Sequence, residues 1–414
     1  MTSTRFAHQP EVIELFSGAG GFTWGWHKAG FHARAAIDHD AVASRTHELN
    51  FGATGTLSLN RDLTRFGPEK LIAVLGARPR NLLAVVGGPP CQGWSRVGRG
   101  KIRSLEGRAS SLLKDPRNQL YRQFLRYVDV LRPPVCVMEN VPGMLSIEGE
   151  NVADAINRHF GNIGYDCSYA LVNARWFGVP QDRRRLIFVG VRRGLSKVID
   201  AAELESFARG FRQNILGLRT KPTLRQAIGD LPPIPSGTLE DPQIYLQSRA
   251  SRSAYAQLMR TGSHDMIADH ICRTHNSQDL RAFRYMPEGM LYHELPERYK
   301  RYRDDIFKDK YKKLYWSRAA WTITAHLAKD CYTHIHPDQA RTISVREAAR
   351  IQSFPDNFRF FGHMGDRFRQ IGNAVPPLMG WGIAEFVKEK YFGDEASTLN
   401  VANPGRKKAR RYAS

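Results

Sequence analysis

The sequence is short of the features that hold together small secreted domains or span membranes. Its 414 residues include five cysteines, Cys91, Cys136, Cys167, Cys272 and Cys331. An odd number with no CxxC or Cys/His ligand spacing argues against a disulfide framework and against a structural zinc. No apolar run approaches the ~18 residues that cross a bilayer, and the amino terminus has no signal-peptide core. The expectation is a soluble, cytoplasmic protein with no membrane partner. Acidic residues are the scarcer charge: 40 Asp+Glu face 61 Lys+Arg, a net charge of +21. That excess points to a polyanionic partner, with nucleic acid the first candidate. The dinucleotide fingerprint GxGxxG is also missing, which disfavours a dehydrogenase.

What is present is organised around one stretch. An apolar run at 82–86 reads as a buried strand, and Gly87-Gly88-Pro89-Pro90-Cys91-Gln92-Gly93-Trp94-Ser95 ends it in a rigid turn. Cys91 then sits on a loop at a strand's carboxyl end, where α/β sheets gather ligands and reacting groups. A thiol of pKa about 8.5 is only a few per cent thiolate at neutral pH, yet that form is a strong nucleophile. An inert buried cysteine is the ordinary alternative, and the surrounding prolines and glycines argue for an exposed loop instead. Earlier in the chain, a strand at 11–16 is followed at once by Ser17-Gly18-Ala19-Gly20-Gly21 and a helical stretch. Such glycines serve either a plain tight turn or the close approach of backbone to a nucleotide at a helix N-terminus. A strand at 33–37 ends in Asp38-His39-Asp40, where α/β nucleoside binders hold ribose hydroxyls. Asp62 can likewise accept a hydrogen bond from an adenine amine.

Residues 118–131 have helical spacing, and a strand at 135–138 leads into Glu139-Asn140-Val141-Pro142-Gly143, so Glu139 mirrors Cys91. Ahead of a strand at 186–190, alternation puts Gln181, Arg183 and Arg185 on one face, either a clamp for carbonyl and phosphate oxygens or a solvated basic edge. After Arg193 the alternation of strand and helix fades. Residues 222–237 read as an irregular connector, and 239–337 interleave cations with aromatics, as in Arg298-Tyr299-Lys300-Arg301-Tyr302-Arg303. That interleaving suits contact with phosphates and base edges. A helix is expected over 341–353, begun by Thr342 or Ser344, and a last one starts near 370–377. The tail from 395, with RKKARR at 406–411, reads as disordered and basic.

Six segments in this order, ELFSGAGG, GGPPCQGWS, MENVPG, QDRRR, RTISVREAARIQSFPD and QIGNAVPP, resemble the motif series of the DNA (cytosine-5)-methyltransferases of bacterial restriction-modification type. The resemblance implies an α/β fold with a doubly wound, mostly parallel, Rossmann-like sheet that binds S-adenosyl-L-methionine. Its catalytic domain would be split between residues 1–194 and 338–392, around a smaller target-recognition domain at 195–337, with a basic tail at 393–414. The resemblance further implies that Cys91 adds to cytosine C6. Glu139, protonated in a closed site, would hydrogen-bond N3 and the exocyclic amine, and Arg185 with Arg183 would neutralise the 2-oxygen. The cofactor is expected over Phe16, Ser17, Gly18, Ala19 and Gly21, with Asp38 on its ribose and Asp62 on its adenine amine. Pro90, Leu120, Asn373 and Val375 would line the pocket. Asp38 departs from the family pattern, which more often has glutamate.

Gln92 and Ser95 are expected to fill the gap left by a flipped-out base. No metal is needed, and Arg341 and Arg346 stand out as cations in an otherwise structural segment. The implied partner is double-stranded DNA, bound by a cytoplasmic, nucleoid-associated bacterial monomer, with a cognate restriction endonuclease encoded separately. A tRNA cytosine-5-methyltransferase would share the fold but carry a reduced recognition region and a Cys-Phe-Thr signature, which this sequence lacks. An inactive DNA-binding accessory protein would have lost Cys91 or Glu139, and both are here.

Overall fold

A computed structural model describes residues 9–90, 120–145, 151–195, 197–245, 253–263, 266–303 and 311–393. Cys91, Gln92, Ser95 and the tail lie outside the described residues. Five strands, Glu11–Leu15 (β1), His32–Asp38 (β2), Leu57–Asn60 (β3), Leu82–Gly87 (β4) and Val135–Asn140 (β5), pair in parallel in the order β3-β2-β1-β4-β5. Tyr165–Asn173 (β6) forms the far edge, and between β5 and β6 lies Arg184–Arg192 (β8), antiparallel to both. The two residues Gln181–Asp182 (β7) precede β8. Connecting helices are Gly21–Lys28 (α1), Ala41–Phe51 (α2), Pro68–Leu75 (α3), Leu120–Leu131 (α4) and Val152–Asn162 (α5).

Strands β4 and β5 are nearly unbroken apolar runs because helices cover both faces of the sheet. The period of two then divides their side chains between two cores. Ala84, Val86, Val135 and Val137 share one core with Phe22 and Trp26 of α1. Val85, Cys136 and Met138 share the other with Phe124 and Val128 of α4 and Ile156 and Phe160 of α5.

The middle of the chain contains short helices, Leu204–Gly210 (α6), Leu224–Ile228 (α7), Ala254–Arg260 (α8) and Ser277–Tyr285 (α9). Part of the stretch expected to be an irregular connector is therefore helical: Thr223 and Gln226 close a capping box that starts α7. Its strands are equally short, Gln243–Ile244 (β9) paired with Met266–Ile267 (β10), and Ala320–Trp321 (β11), which pairs in parallel with β7. A separate small core forms from Phe283, Tyr292, Tyr311 and Ile335. Buried Asp279 beside it accepts hydrogen bonds from the hydroxyls of Tyr311 (2.5 Å) and Tyr332 (2.8 Å) and pairs with Arg301 Nη1 (2.8 Å). The acid is thus used to hold aromatic side chains in register rather than to face solvent.

Three helices follow, Val345–Ile351 (α10), Met364–Asn373 (α11) and Pro377–Phe392 (α12). Of the two residues expected to begin the helix over 341–353, Ser344 does so: its side chain caps α10 at Val345, Glu347 completes the box, and the helix ends at Ile351. Every residue of α10 is buried, including Arg346, Glu347 and Arg350. Arg341 forks onto Glu347 with both distances at 2.7 Å. Arg346 bonds Asp269 at 3.1 Å and the carbonyls of Ala268, Pro355 and Phe358. Arg350 spans Asp356 (2.6 Å) and Asp230 (2.8 Å). Arg341 and Arg346 are therefore internal braces, and their buried guanidinium groups face carboxylates and carbonyls of this chain.

Burial opposes ionisation of Glu347, yet the Arg341 fork holds its carboxyl well below the usual carboxylate range. Removing one member of such a pair strands a buried charge. Glu347→Ala is expected to lower the free energy of unfolding by about 3–5 kcal/mol, read from urea melts at neutral pH. A loss below about 1 kcal/mol, the range of exposed pairs, would show that the fork is not a brace.

Candidate active site

The strand order reverses between β1 and β4: β2 and β3 lie to one side of this pair, and β5 to the other. Ligands of doubly wound sheets bind at the carboxyl ends of such a strand pair. Here those ends are the glycine loop after Leu15 and the Gly87-Gly88-Pro89-Pro90 segment, held in register by the pairing of Leu15 with Gly87.

The glycine loop folds tightly, with φ of +57° at Phe16, +53° at Gly18 and +95° at Gly20. A side chain at Gly20 would come within 2.4 Å of the Phe51 ring, and one at Gly21 within 2.1 Å of the Val375 carbonyl oxygen, whereas at Gly18 it would meet open space. The loop is thus packed underneath and open above Gly18, a cradle in which a nucleoside can lie against backbone. Asp38 at the end of β2 is tied to that loop. Gly18 N–H donates to Asp38 Oδ2 and Asp40 N–H to Asp38 Oδ1, both at 2.8 Å. Each oxygen keeps acceptor capacity for a ribose hydroxyl. His39 lies 3.3 Å from Asp38, and its pKa is raised by that carboxylate. Asp62 is exposed and accepts from Thr64 N–H (2.9 Å) and hydroxyl (2.8 Å) on one oxygen, bonds that hold its carboxyl below the ordinary value.

The carboxyl-terminal motif packs against this loop. Val375 is half-buried with its carbonyl at Gly21, and Asn373, the last residue of α11, is exposed. Arg369 of α11 reaches Asp40 at 3.2 Å, and Asp40 caps α2. Phe16, Ser17, Gly18, Ala19, Gly21, Asp38 and Val375 are thereby brought together, with Pro90 at the end of the neighbouring β4 segment. No described hydrogen bond links Asp62 or Leu120 to the rest of the site, and half-buried Leu120 simply opens α4.

On the other side of β4, Glu139 near the end of β5 pairs with Arg185 Nε at 2.7 Å, both side chains 12% exposed. Burial lowers the Arg185 pKa, and Glu139 opposes that shift. A side chain at Gly88 would lie 3.2 Å from Glu139 Oε2. The segment that leads to Cys91 therefore runs against this ion pair. Asn140 fastens it, donating from Nδ2 to the Pro89 carbonyl (3.2 Å) while its Oδ1 accepts from Val141 N–H (2.9 Å).

Arg183 differs from Arg185. It is 2% exposed, with Nη1 donating to the Ile323 carbonyl (2.7 Å) and Nη2 to those of Gly372 and Ala374 (3.2 Å each). Gln181 is buried on the same side, its Oε1 accepting from Ile323 N–H at 2.9 Å. Alternation did put Gln181, Arg183 and Arg185 on one face, but only Arg185 reaches Glu139. These bonds engage both terminal nitrogens of Arg183 with backbone, while its buried Nε has no described partner.

A further group lies beneath the glycine loop. Glu14 of β1 is buried and hydrogen-bonded by the Thr23 hydroxyl, which also lies 2.9 Å from His47 Nε2; His47 Nδ1 is 2.7 Å from Ser58 Oγ. Burial pushes the Glu14 carboxyl up to about 8 and the His47 imidazole down to about 3, so both are neutral near pH 7. The only sequence signal was an acid inside an apolar strand, two residues before Phe16.

Comparison with known proteins places the chain in a family. A family model described as C-5 cytosine-specific DNA methylase matches residues 11–389. The type II methyltransferase M.AgeI of Thalassovita gelatinovora is 32% identical, covering 91% of this chain and 99% of that protein. M.DdeI of Desulfomicrobium norvegicum is 31% identical, with 95% and 91% covered. Among solved structures, a chain described as a DNA modification methyltransferase encoded within an E. coli prophage superposes with a TM-score of 0.70 at 24% identity, over 92% of this chain and 99% of that one. It supports the fold.

Glu14 gives a pH test of the loop's underside. Its carboxyl rises from 4.5 to about 8 on folding. The folded state binds more protons than the unfolded one between those values, so Glu14 makes stability fall as pH rises from about 4.5 to about 8. Glu14→Gln is expected to remove that contribution, up to about 1.4 kcal/mol per pH unit, in urea melts compared between pH 6 and 8. Parallel pH profiles for variant and wild type would contradict a buried neutral acid.

Proposed function

The chain belongs to the C-5 cytosine-specific DNA methylase family and is a DNA (cytosine-5)-methyltransferase, and we propose that it modifies one cytosine, flipped out of a short duplex sequence, through a covalent bond from Cys91. The observation that carries this reading is the Glu139–Arg185 pair, 2.7 Å apart, beside the Gly88–Pro90 segment that leads to Cys91. A role as the modification partner of a separately encoded restriction endonuclease, or as a solitary methylase, follows from the type II methyltransferases it resembles. In this proposal residues 1–194 and 338–392 are the catalytic domain and 195–337 the target-recognition domain.

Cytosine C5 is a weak carbon nucleophile. Addition of the Cys91 thiolate to C6 moves electron density onto N3 and the 2-oxygen and makes the ring behave as an enamine. Glu139 would hydrogen-bond N3 and the exocyclic amine, and Arg185 would neutralise the developing charge on the 2-oxygen. S-adenosyl-L-methionine, when bound, supplies an electrophilic methyl group to C5. Asp38 would hold its ribose, the 16–21 loop its methionine and ribose portions, Asp62 its adenine amine, and Asn373 and Val375 the pocket wall; the open space above Gly18 and the free acceptor capacity of Asp38 fit that group. Loss of the C5 proton to a base then expels Cys91 and restores the ring. A base inside a duplex is out of reach, so it must be extruded, at a cost of a few kcal/mol. Gln92 and Ser95 are our candidates for filling the vacated space.

Transfer of labelled methyl to mixed-sequence duplex DNA and to bulk tRNA, by wild type and Cys91→Ala, tests this directly. Label is expected on cytosines of one short DNA sequence after bisulfite sequencing and on nothing with the variant. Label only in tRNA would replace the DNA reading with the RNA one. The net charge of +21 carries a second expectation: duplex affinity should fall by at least tenfold between about 50 and 200 mM salt. An affinity unchanged over that range would remove phosphate contacts from the account.

A further inference from the structure

Arg183 stands where three parts of the chain meet. On one side, β11 pairs with β7, Ala320 with Gln181 and Trp321 with Asp182. Thr322 extends the contact, its hydroxyl donating to the Asp182 carbonyl at 2.7 Å. On the other side is the end of α11, packed so closely that a side chain at Gly372 would lie 2.2 Å from the Thr324 carbonyl carbon. The third part is β8 itself, which carries Arg185 two residues later.

The guanidinium is the piece common to all three. It donates to Ile323, just after β11, and to Gly372 and Ala374, which flank Asn373 and precede Val375 of the proposed cofactor pocket. A buried cation whose terminal nitrogens donate only to carbonyls is held in place most firmly when all three bonds form together. Burial and the neighbouring Arg185 lower its pKa, and Glu139 opposes that shift. Displacing Ile323 removes one of the three acceptors and loosens the other two. Among the described residues Arg185 pairs with Glu139 and donates to the Arg184 carbonyl.

We propose that Arg183 is a positioning residue that couples the DNA-recognition region to the cofactor pocket, so that binding of duplex DNA and of the nucleoside cofactor strengthen one another. This rests on the methyltransferase reading above and deepens it. Coupling is reciprocal: whatever factor DNA adds to cofactor affinity, the cofactor adds to DNA affinity.

The test uses S-adenosyl-L-homocysteine, which lacks the transferable methyl, titrated calorimetrically into the full chain with and without a duplex that the wild type methylates. Wild type is expected to bind it about tenfold more tightly with DNA present, inside the usual range of coupling between sites. In Arg183→Met the ratio should fall to within twofold of one, with the affinity in the absence of DNA changed less than about threefold. Arg183→Lys keeps charge but not the fork and should lose most of the ratio, and Thr322→Val, which slackens the same junction from its half-buried edge, part of it. In steady state, the KM values for DNA and cofactor should rise more than kcat falls. A wild-type ratio of one overturns the proposal. So does a wild-type ratio retained in Arg183→Lys and Thr322→Val, which also decides the matter if Arg183→Met does not fold. A kcat lost more than 100-fold with the ratio intact would return Arg183 to direct contact with the base. Failure of the underlying reading looks different, since wild type would then transfer no methyl to DNA at all.

Discussion

A helix buried on every side can carry three charged residues only if each charge finds its opposite inside the protein. Helix α10 does so with Arg346, Glu347 and Arg350, matched by Asp269, Arg341, and Asp230 with Asp356. These partners come from residues 230–269 and from the flanks of the helix. The pairs therefore fix the middle region of the chain against its carboxyl-terminal part. An unmatched charge there would cost several kcal/mol, so alternative dockings of the same segments are disfavoured. Apolar packing of similar area would hold the helix in place, but it would be less particular about how the neighbouring segments lie across it.

The site inherits that constraint. Once α10 is seated, α11 follows it and delivers Gly372, Ala374 and Val375 to Arg183 and to the glycine loop. Residues of the proposed cofactor site come from both ends of the chain, 16–21 and 373–375, brought together by the contact of Gly21 with Val375. The reactive side is built differently. Glu139, Asn140 and Arg185 sit on adjacent antiparallel strands, β5 and β8, and Asn140 ties the segment before Cys91 to them. Rigid strands thus place the acid and the cation, and the proposed nucleophile, Cys91, follows in sequence directly after the Gly88–Pro90 segment. Fixed strands of this kind suit a reaction that needs preorganised electrostatics.

Much of this was legible in the sequence for a physical reason. Parallel strands buried on both faces read as apolar runs, so β1, β4 and β5 were visible, and the residues at their carboxyl ends became candidates at once. Asp38 was found by the same rule. The period of two correctly grouped Gln181, Arg183 and Arg185, but it says nothing about what lies opposite. Arg183 bonds to Ile323 and Gly372, 140 and 189 positions away, in parts of the chain that no local pattern brings near. Asn140 stood inside a recognised motif without a role, because its partner is the Pro89 carbonyl. Helix α7 spans five residues, too few for a helical period to register, and only its capping box betrays it. Glu14 was hidden by its neighbours: an acid in a strand reads as a surface position until Thr23 and His47 are seen beside it.

The central claim is that Glu139 and Arg185 hold the base edge while Arg183 stays bound to backbone. A crystal structure of the enzyme with cofactor on a duplex carrying 5-fluorocytosine at the target position tests it most directly, because fluorine in place of the departing proton leaves the adduct unable to resolve. The account predicts Cys91 Sγ bonded to C6, Glu139 at N3 and the exocyclic nitrogen, Arg185 at the 2-oxygen, and the Arg183 guanidinium still on Ile323, Gly372 and Ala374. A base held by Arg183, or an adduct in which Glu139 contacts no ring atom, would contradict it.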